Sequence, residues 1–324
     1  MDRPYDRWRM ALPRLSPVAY RRVTLFALVA LAFIIVTGAG VRLTGSGLGC
    51  TDWPTCEEGR LTPVDATDVH AMVEFVNRTI TGLVSVAVIL AVLGSLLRAP
   101  RRRDLTWWSL GLVAGVIGQI VLGGLTVLFE LAPPFVMGHF ILSMVLLWNA
   151  VVLHHRAGRP GGASRPVVGP ALTGLGRLLL GAAALVVLTG TVVTAAGPHA
   201  GDASARRLDV AVSSVARVHS VSVLVLLALT LCALWSAHRD RAPVAVHDAL
   251  RALLAVLVAQ AAVGYTQYFT GVPAALVAVH ILGAVAVWVA VVRVGLVMRE
   301  VPSDDVAPSA VEGGRARQAV LSAT

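Results

Sequence analysis

Apolar residues occur in long runs along this chain, and short segments rich in arginine, glycine and proline separate the runs. A helix needs about 20 mostly apolar residues to cross a bilayer. Runs of that kind predict eight membrane-spanning helices, at residues 24–42, 75–97, 106–128, 134–154, 175–196, 216–236, 250–269 and 274–298. The pattern therefore predicts an all-α polytopic membrane protein.

Polar residues and glycines inside these runs recur at a nearly constant spacing, which indicates an internal repeat. The matching pairs are Gln119 with Gln260, Gly123 with Gly264 and His139 with His280, each 141 residues apart, and Asn77 with His219 at 142. In addition, Thr37-Gly38 closes the first run as Thr189-Gly190 closes the fifth. Two tandem four-helix bundles related by a duplication explain all of these pairs. We place the bundles at residues 24–155 and 175–298, joined by a cytoplasmic linker at 156–174.

The composition and charge pattern agree with a membrane protein. Of the 324 residues, 56% are hydrophobic and 14% are charged, whereas roughly a quarter of a soluble domain is charged. All 27 basic residues are arginines, which cluster in the segments between the runs. The positive-inside rule then predicts a multi-pass plasma-membrane protein with both termini in the cytoplasm, surrounded by the lipid bilayer and without a nucleic-acid partner. Residues 1–23 are predicted to be a cytoplasmic segment, and residues 299–324 a disordered cytoplasmic tail.

Five of the nine histidines fall on the predicted outer side, namely His70, His139, His199, His219 and His280. A histidine within apolar sequence needs a partner, and packing, proton relay and metal ligation are the candidate roles. His219 and His280 lie at similar depth on alternate helices of one bundle, where two imidazoles can become axial ligands of a heme iron. Repeat symmetry offers Asn77 and His139 in the first bundle. Zinc is less favoured, because this outer pair lacks nearby cysteine or carboxylate ligands.

Other polar residues gather near the outer end of the second run. Glu74 and Arg78 have the spacing of an ion pair on one helix face, and a catalytic role for Glu74 is the alternative. Arg42 and Arg78 could pair with porphyrin propionates or extend to the membrane interface. Cys50 and Cys56 share one outer loop, where a structural disulfide is feasible and thiol exchange is the alternative.

These residues resemble those of a known family. The stretch from Thr37 to Cys56, TGAGVRLTGSGLGCTDWPTC, then Glu74-x-x-Asn77-Arg78 and the histidines of the later helices, resembles heme A synthase over about residues 20 to 298. The resemblance implies oxidation of the C8 methyl of the substrate heme O to a formyl group, by two successive hydroxylations. The product, heme A, serves terminal oxidases.

The resemblance also implies roles for individual residues. His219 and His280 match the axial ligands of a heme b cofactor in the second half, and His139 matches an iron ligand of heme O in the first half. Glu74 matches the carboxylate expected to be catalytic, and Arg78 joins the substrate-heme site. Both heme sites are expected near the extracytoplasmic side. The loop cysteine pair of the family matches Cys50 and Cys56.

One departure concerns the substrate site. Many members of the family have His where this chain has Asn77, in the motif Glu-x-x-His-Arg. Either His139 binds the substrate iron alone, or His70, two turns earlier, replaces the missing ligand. A heme O synthase (a farnesyltransferase) and an electron acceptor of unknown identity are the expected partners. The rival functions are a di-heme b-type cytochrome that carries electrons, and a transporter built on an internal repeat.

Overall fold

The computed structural model of the protein describes residues 14–302. Each of its eight long helices is apolar enough to cross a membrane, which confirms the eight predicted spans. They are α1 (Pro17–Leu43), α2 (Val69–Leu97), α3 (Arg103–Leu128), α4 (Pro133–Ala157), α5 (Pro170–Ala196), α6 (Val212–Arg239), α7 (Val244–Phe269) and α8 (Ala274–Val297).

Capping residues start the first two helices earlier than the apolar runs do. Ser16 caps α1 by accepting a hydrogen bond from the Ala19 N–H at 3.2 Å, and Pro17 occupies the first position, where its missing N–H costs nothing. Asp68 caps α2 by accepting from the N–H groups of His70 and Ala71 at 2.8 and 3.1 Å. The helices therefore begin at residues 17 and 69 rather than 24 and 75.

Each half of the protein forms a ring of four helices. Helix α1 packs against α2 and α4, and α3 packs against the same two helices; α5 to α8 pack in the same order. The even-numbered helices, α2 with α4 and α6 with α8, therefore lie diagonally across their ring. Gln119 Nε2 donates to the His139 carbonyl at 3.2 Å, and Gln260 Nε2 donates to the His280 carbonyl at 2.7 Å. These equivalent contacts confirm two tandem four-helix bundles related by an internal repeat.

The two rings pack side by side through α1, α4, α5 and α8. Within the interface, the indole N–H of Trp288 donates to the Met144 carbonyl at 2.8 Å. At the predicted outer end, Arg42 donates to the carbonyls of His199 and Thr194 at 2.6 and 2.7 Å. Arg42 therefore joins the first half to the second through backbone oxygens.

The apolar side chains divide between the packed interior and the outer surface of the helices. One buried cluster, which includes Tyr20 and Leu112, fills the first ring, and a larger one, which includes Leu250, extends through the second ring into the interface. Large side chains such as Phe33 and Leu282, each 54% exposed, point away from both rings. An exposed apolar belt is expected where helices meet lipid.

The segments outside the helices differ from prediction at one point. Strand β1 (Arg165–Pro166) pairs antiparallel with strand β2 (Arg299–Glu300), so the predicted linker touches the start of the predicted disordered tail. An exposed ion pair between Arg159 and Glu300 at 3.2 Å also joins these two segments. The remaining predictions for the termini, at residues 1–13 and 303–324, lie outside the described residues.

Candidate functional site

Three histidines inside the rings each pack against a glycine of the preceding helix. A Cβ atom added to Gly190 would lie 3.1 Å from His219 Cε1, and one added to Gly264 would lie 3.0 Å from His280 Cε1. The equivalent distance from Gly123 to His139 Cε1 is 3.3 Å. Such contacts are tighter than ordinary van der Waals contact, so glycine lets each imidazole approach the neighbouring helix closely.

One of these imidazoles, His219, has a side-chain hydrogen-bond partner at Nδ1. The Thr189 hydroxyl donates to the Leu185 carbonyl at 2.9 Å and lies 3.1 Å from His219 Nδ1, so it can accept the Nδ1 proton. An imidazole protonated at Nδ1 presents an unprotonated Nε2, the form that binds a metal. Within residues 14–302, the buried Nδ1 atoms of His139 and His280 have no hydrogen-bond partner.

Asn77 occupies the position in the first ring that His219 occupies in the second. Its buried Oδ1 atom has no hydrogen-bond partner in the part of the chain that the structure describes. Asn77 and Thr37 line the same cleft between α1 and α2, of about 500 Å³. The structure therefore places an amide where repeat symmetry would place a fourth imidazole, and within residues 14–302 its oxygen has no partner.

His70 lies at the outer end of α2 and has a different neighbour. Its Nδ1 atom is 3.0 Å from the hydroxyl of the buried Ser46, and the residue is otherwise exposed. His70 precedes Asn77 by seven residues, which corresponds to about 10 Å along a helix. The structure thus places His70 beside the outer loop rather than at the level of Asn77.

Glu74 is buried and bonded through both carboxylate oxygens. Its residue exposure is 6%. Oε2 accepts from the Cys50 N–H at 2.9 Å, and Oε1 accepts from Arg78 Nη2 and Nε at 2.6 and 3.1 Å. The ion pair expected from the spacing is therefore present, and it fixes the position of the carboxylate.

Arg78 binds the outer loop as well as Glu74. Its guanidinium donates to the carbonyls of Thr55, Asp52 and Cys50 at 2.8, 3.2 and 3.4 Å. The same group lies 5.3 Å from the ring centre of Trp53, within the range of a cation–π contact. The sequence suggested propionates as partners of Arg78, whereas these protein groups occupy all of its nitrogen donors.

The segment from Cys50 to Cys56, which we call the disulfide loop, is closed by the predicted Cys50–Cys56 bond, with both residues fully buried. Trp53 of this loop packs against Gly124 of α3, and a Cβ there would overlap the indole. Gly49 just before the loop touches the His70 carbonyl so closely that any side chain would collide. These contacts did not follow from the sequence pattern, although the tryptophan between the two cysteines was a visible signal.

His199, on the other outer loop, has a structural contact. Its Nε2 atom lies 2.8 Å from the Val272 carbonyl, in the turn between α7 and α8. Nearby, the Ser204 side chain and backbone N–H donate to Asp202 at 2.6 and 2.7 Å, and they lower the pKa of that carboxyl. These bonds order the outer loop next to the carbonyls that Arg42 binds.

Comparisons with known proteins agree with this arrangement. The family described as cytochrome oxidase assembly protein, COX15-CtaA, matches residues 21–292. A heme A synthase of Exiguobacterium sibiricum is 28% identical over 180 residues, which cover 53% of this chain and 58% of the relative. Heme A synthases of Bacillus licheniformis and Lysinibacillus sphaericus are 26% and 29% identical, over 42% and 37% of this chain and 44% and 38% of theirs.

The aligned regions span about half the length of these relatives. The family match, by contrast, extends from α1 to α8 and includes the disulfide loop and all three histidines that lie against glycines. The chain therefore belongs to the COX15-CtaA family of cytochrome oxidase assembly proteins, the heme A synthase family.

Proposed function

We propose that this protein is a heme A synthase, which oxidises the C8 methyl group of heme O to a formyl group by successive hydroxylations. The observation that supports the proposal most directly is that the two repeated four-helix rings carry different sets of candidate ligands. The second ring has two imidazoles, and the first has one imidazole, an amide and a buried carboxylate nearby. Such a difference suits one half that keeps a cofactor and another that binds a substrate.

The second ring fits a resident heme b. A heme iron takes up to two axial ligands from the protein, and His219 and His280 project from the diagonal helices α6 and α8. Thr189 orients the His219 imidazole, and Gly190 and Gly264 leave room for the two imidazoles. The bound heme would supply one-electron redox chemistry, while the protein supplies orientation and ligation.

The first ring suits a bound heme O. We assign His139 as an iron ligand, with Asn77 on the diagonal helix α2. Glu74 precedes Asn77 by three residues and therefore lies on the same side of α2. Because the Cys50 N–H and Arg78 hold its two oxygens, Glu74 would remain a fixed carboxylate. We propose that this carboxylate accepts a proton as the methyl group is oxidised.

The proposal includes an orientation in the plasma membrane. The arginine-rich ends of the helices would face the cytoplasm together with both termini. The disulfide loop, at the opposite end, would then lie on the extracytoplasmic side, where disulfides persist. A heme O synthase would provide the substrate, and an electron acceptor would be the other partner.

Heme extraction tests the proposed function. The protein is expressed with a source of heme O and purified, and the extracted hemes are separated by chromatography. We expect heme b together with heme O and heme A. Recovery of heme b alone, without conversion of added heme O, would contradict the proposal and favour a di-heme electron carrier. A preparation without any heme would favour a transporter instead.

A matched pair of variants tests the role of Glu74. We expect Glu74→Gln to stop heme A formation while both hemes remain bound, because the amide cannot accept a proton. Glu58→Gln, which changes an exposed carboxylate of the same outer segment, should convert heme O normally. Normal heme A formation by Glu74→Gln would rule out the catalytic assignment.

A further inference from the structure

The first ring retains a place for a second imidazole but lacks the imidazole itself. In the second ring, Thr189 bonds His219 Nδ1 and Gly190 lies against the imidazole. The counterparts of these two residues in the first ring are Thr37 and Gly38. A Cβ added to Gly38 would meet no atom within 4 Å. The space that the His219 ring fills in the second half is therefore open beside Asn77.

The other candidate ligands near Asn77 are in unsuitable positions. His70 is about 10 Å nearer the outer end of α2, and its ring is already bonded to Ser46. Met72 lines the same cleft as Asn77. Five residues separate the two, which places their side chains about 140° apart around the helix axis. Neither side chain can reach the first-ring position that is equivalent to His219 unless α2 is displaced.

Asn77 itself is a weak ligand for iron, because amide groups suit hard cations whereas imidazole suits iron. Its buried Oδ1 atom has no partner within residues 14–302. An unpaired buried acceptor is costly unless something that can donate a hydrogen bond occupies the space in front of it. The Asn77 amide is thus suited to a small hydrogen-bonding molecule rather than to the metal.

We infer that a heme bound in the first ring has one protein axial ligand, His139, and that its opposite face is open to a small neutral ligand beside the Asn77 amide. This inference rests on the proposed function, since it assumes that the first ring binds heme. It gives the two hemes different coordination. His219 and His280 would both hold the iron of a second-ring heme, whereas His139 alone would hold the iron of a first-ring heme.

The coordination of the two irons can be measured without any assay of activity. The purified protein is loaded anaerobically with heme O, and its ferric spin state and carbon monoxide binding are recorded. We expect one high-spin and one low-spin iron, and about one carbon monoxide bound per two reduced hemes, because only a five-coordinate iron has a free position. Two low-spin irons and no carbon monoxide binding in the wild-type protein would overturn the inference.

Reciprocal variants identify the residue responsible. Asn77→His should make the first-ring iron low-spin and remove its carbon monoxide binding, because Thr37 and the space beside Gly38 can accommodate the imidazole. His219→Asn should instead create a second carbon monoxide site. His70→Ala should leave the spectrum unchanged, and a gain of carbon monoxide binding in that variant would show that His70 is the second ligand.

The same samples separate failure of this inference from failure of the proposed function. If added heme O does not bind, or binds and His139→Ala does not release it, the assignment of the first ring as a heme site is wrong. If heme O binds through His139 and its iron is low-spin in the wild-type protein, the site stands and only the open position is refuted. The spin state and carbon monoxide binding of the wild-type protein test the open position even if a variant does not fold.

Discussion

Replacing Arg78 with Ala should release the disulfide loop from the helices. Arg78 donates to Glu74 and to the carbonyls of Thr55 and Asp52. The variant removes all of these bonds together with the cation–π contact to Trp53. It also leaves the buried Glu74 carboxylate with a single hydrogen bond, from the loop itself.

The size of this effect follows from the burial of the pair. The Arg78 and Glu74 side chains are 19% and 8% exposed. Removing one partner of a buried ion pair costs about 3–5 kcal/mol, and the partial exposure of Arg78 favours the lower value. Since 1.4 kcal/mol is a factor of ten, about 3 kcal/mol corresponds to a roughly 100-fold larger population of the open loop.

Reduction of the Cys50–Cys56 bond reports this opening, because both residues are fully buried when the loop is closed. A water-soluble phosphine is added to the purified protein, and alkylated cysteines are quantified by mass spectrometry over time. We expect Arg78→Ala to be reduced about 100-fold faster than the wild type, in line with the larger open population. Arg60→Ala, which removes an exposed arginine of the same segment, is the control and should behave as the wild type.

A second substitution separates the effect of the lost hydrogen bonds from the effect of the unpaired, buried Glu74 charge. In the double variant Glu74→Gln with Arg78→Ala, the buried charge is gone, so the rate should fall part of the way back toward that of the wild type. If Arg78→Ala is reduced at the wild-type rate, the guanidinium does not hold the loop closed. The reasoning from burial would then be wrong.

Two glycine substitutions test close contacts, with Gly181→Ala as control, because a Cβ there meets no atom within 4 Å. Gly124→Ala should displace Trp53 and speed reduction of the disulfide; an unchanged rate would show that this contact does not anchor the loop. Gly264→Ala should push the His280 ring and alter the optical spectrum of the second-ring heme, although alanine favours the helix by about 1 kcal/mol. A spectrum identical to that of the wild type would contradict the proposed ligation.

Much of the fold could be read from local sequence. The bilayer fixes the length of a spanning helix, so the eight apolar runs alone predicted the eight helices. The offset between Gln119 and Gln260 revealed the repeat, and both residues bond a histidine carbonyl in equivalent positions. The starts of α1 and α2 were misplaced, because Ser16 and Asp68 extend these helices beyond the apolar runs.

The candidate site was only partly predictable. The sequence singled out His139, His219 and His280 because a polar imidazole in apolar surroundings needs a bonding partner. It also predicted that Glu74 could pair with Arg78, since both lie on one helix face.

Sequence left the part played by His70 open, and it did not indicate the backbone carbonyls that Arg42 binds. These outcomes depend on contacts between segments far apart in the chain. His70 bonds Ser46 because Gly49 lets the outer loop approach the start of α2, and Arg42 binds the carbonyl of His199, 157 residues away. The sequence by itself determined the helices, the repeat and which side chains are candidate ligands, because these follow from composition and spacing. Only the packing of loops onto helices decided which side chains are already bonded, and which, such as Asn77, face open space.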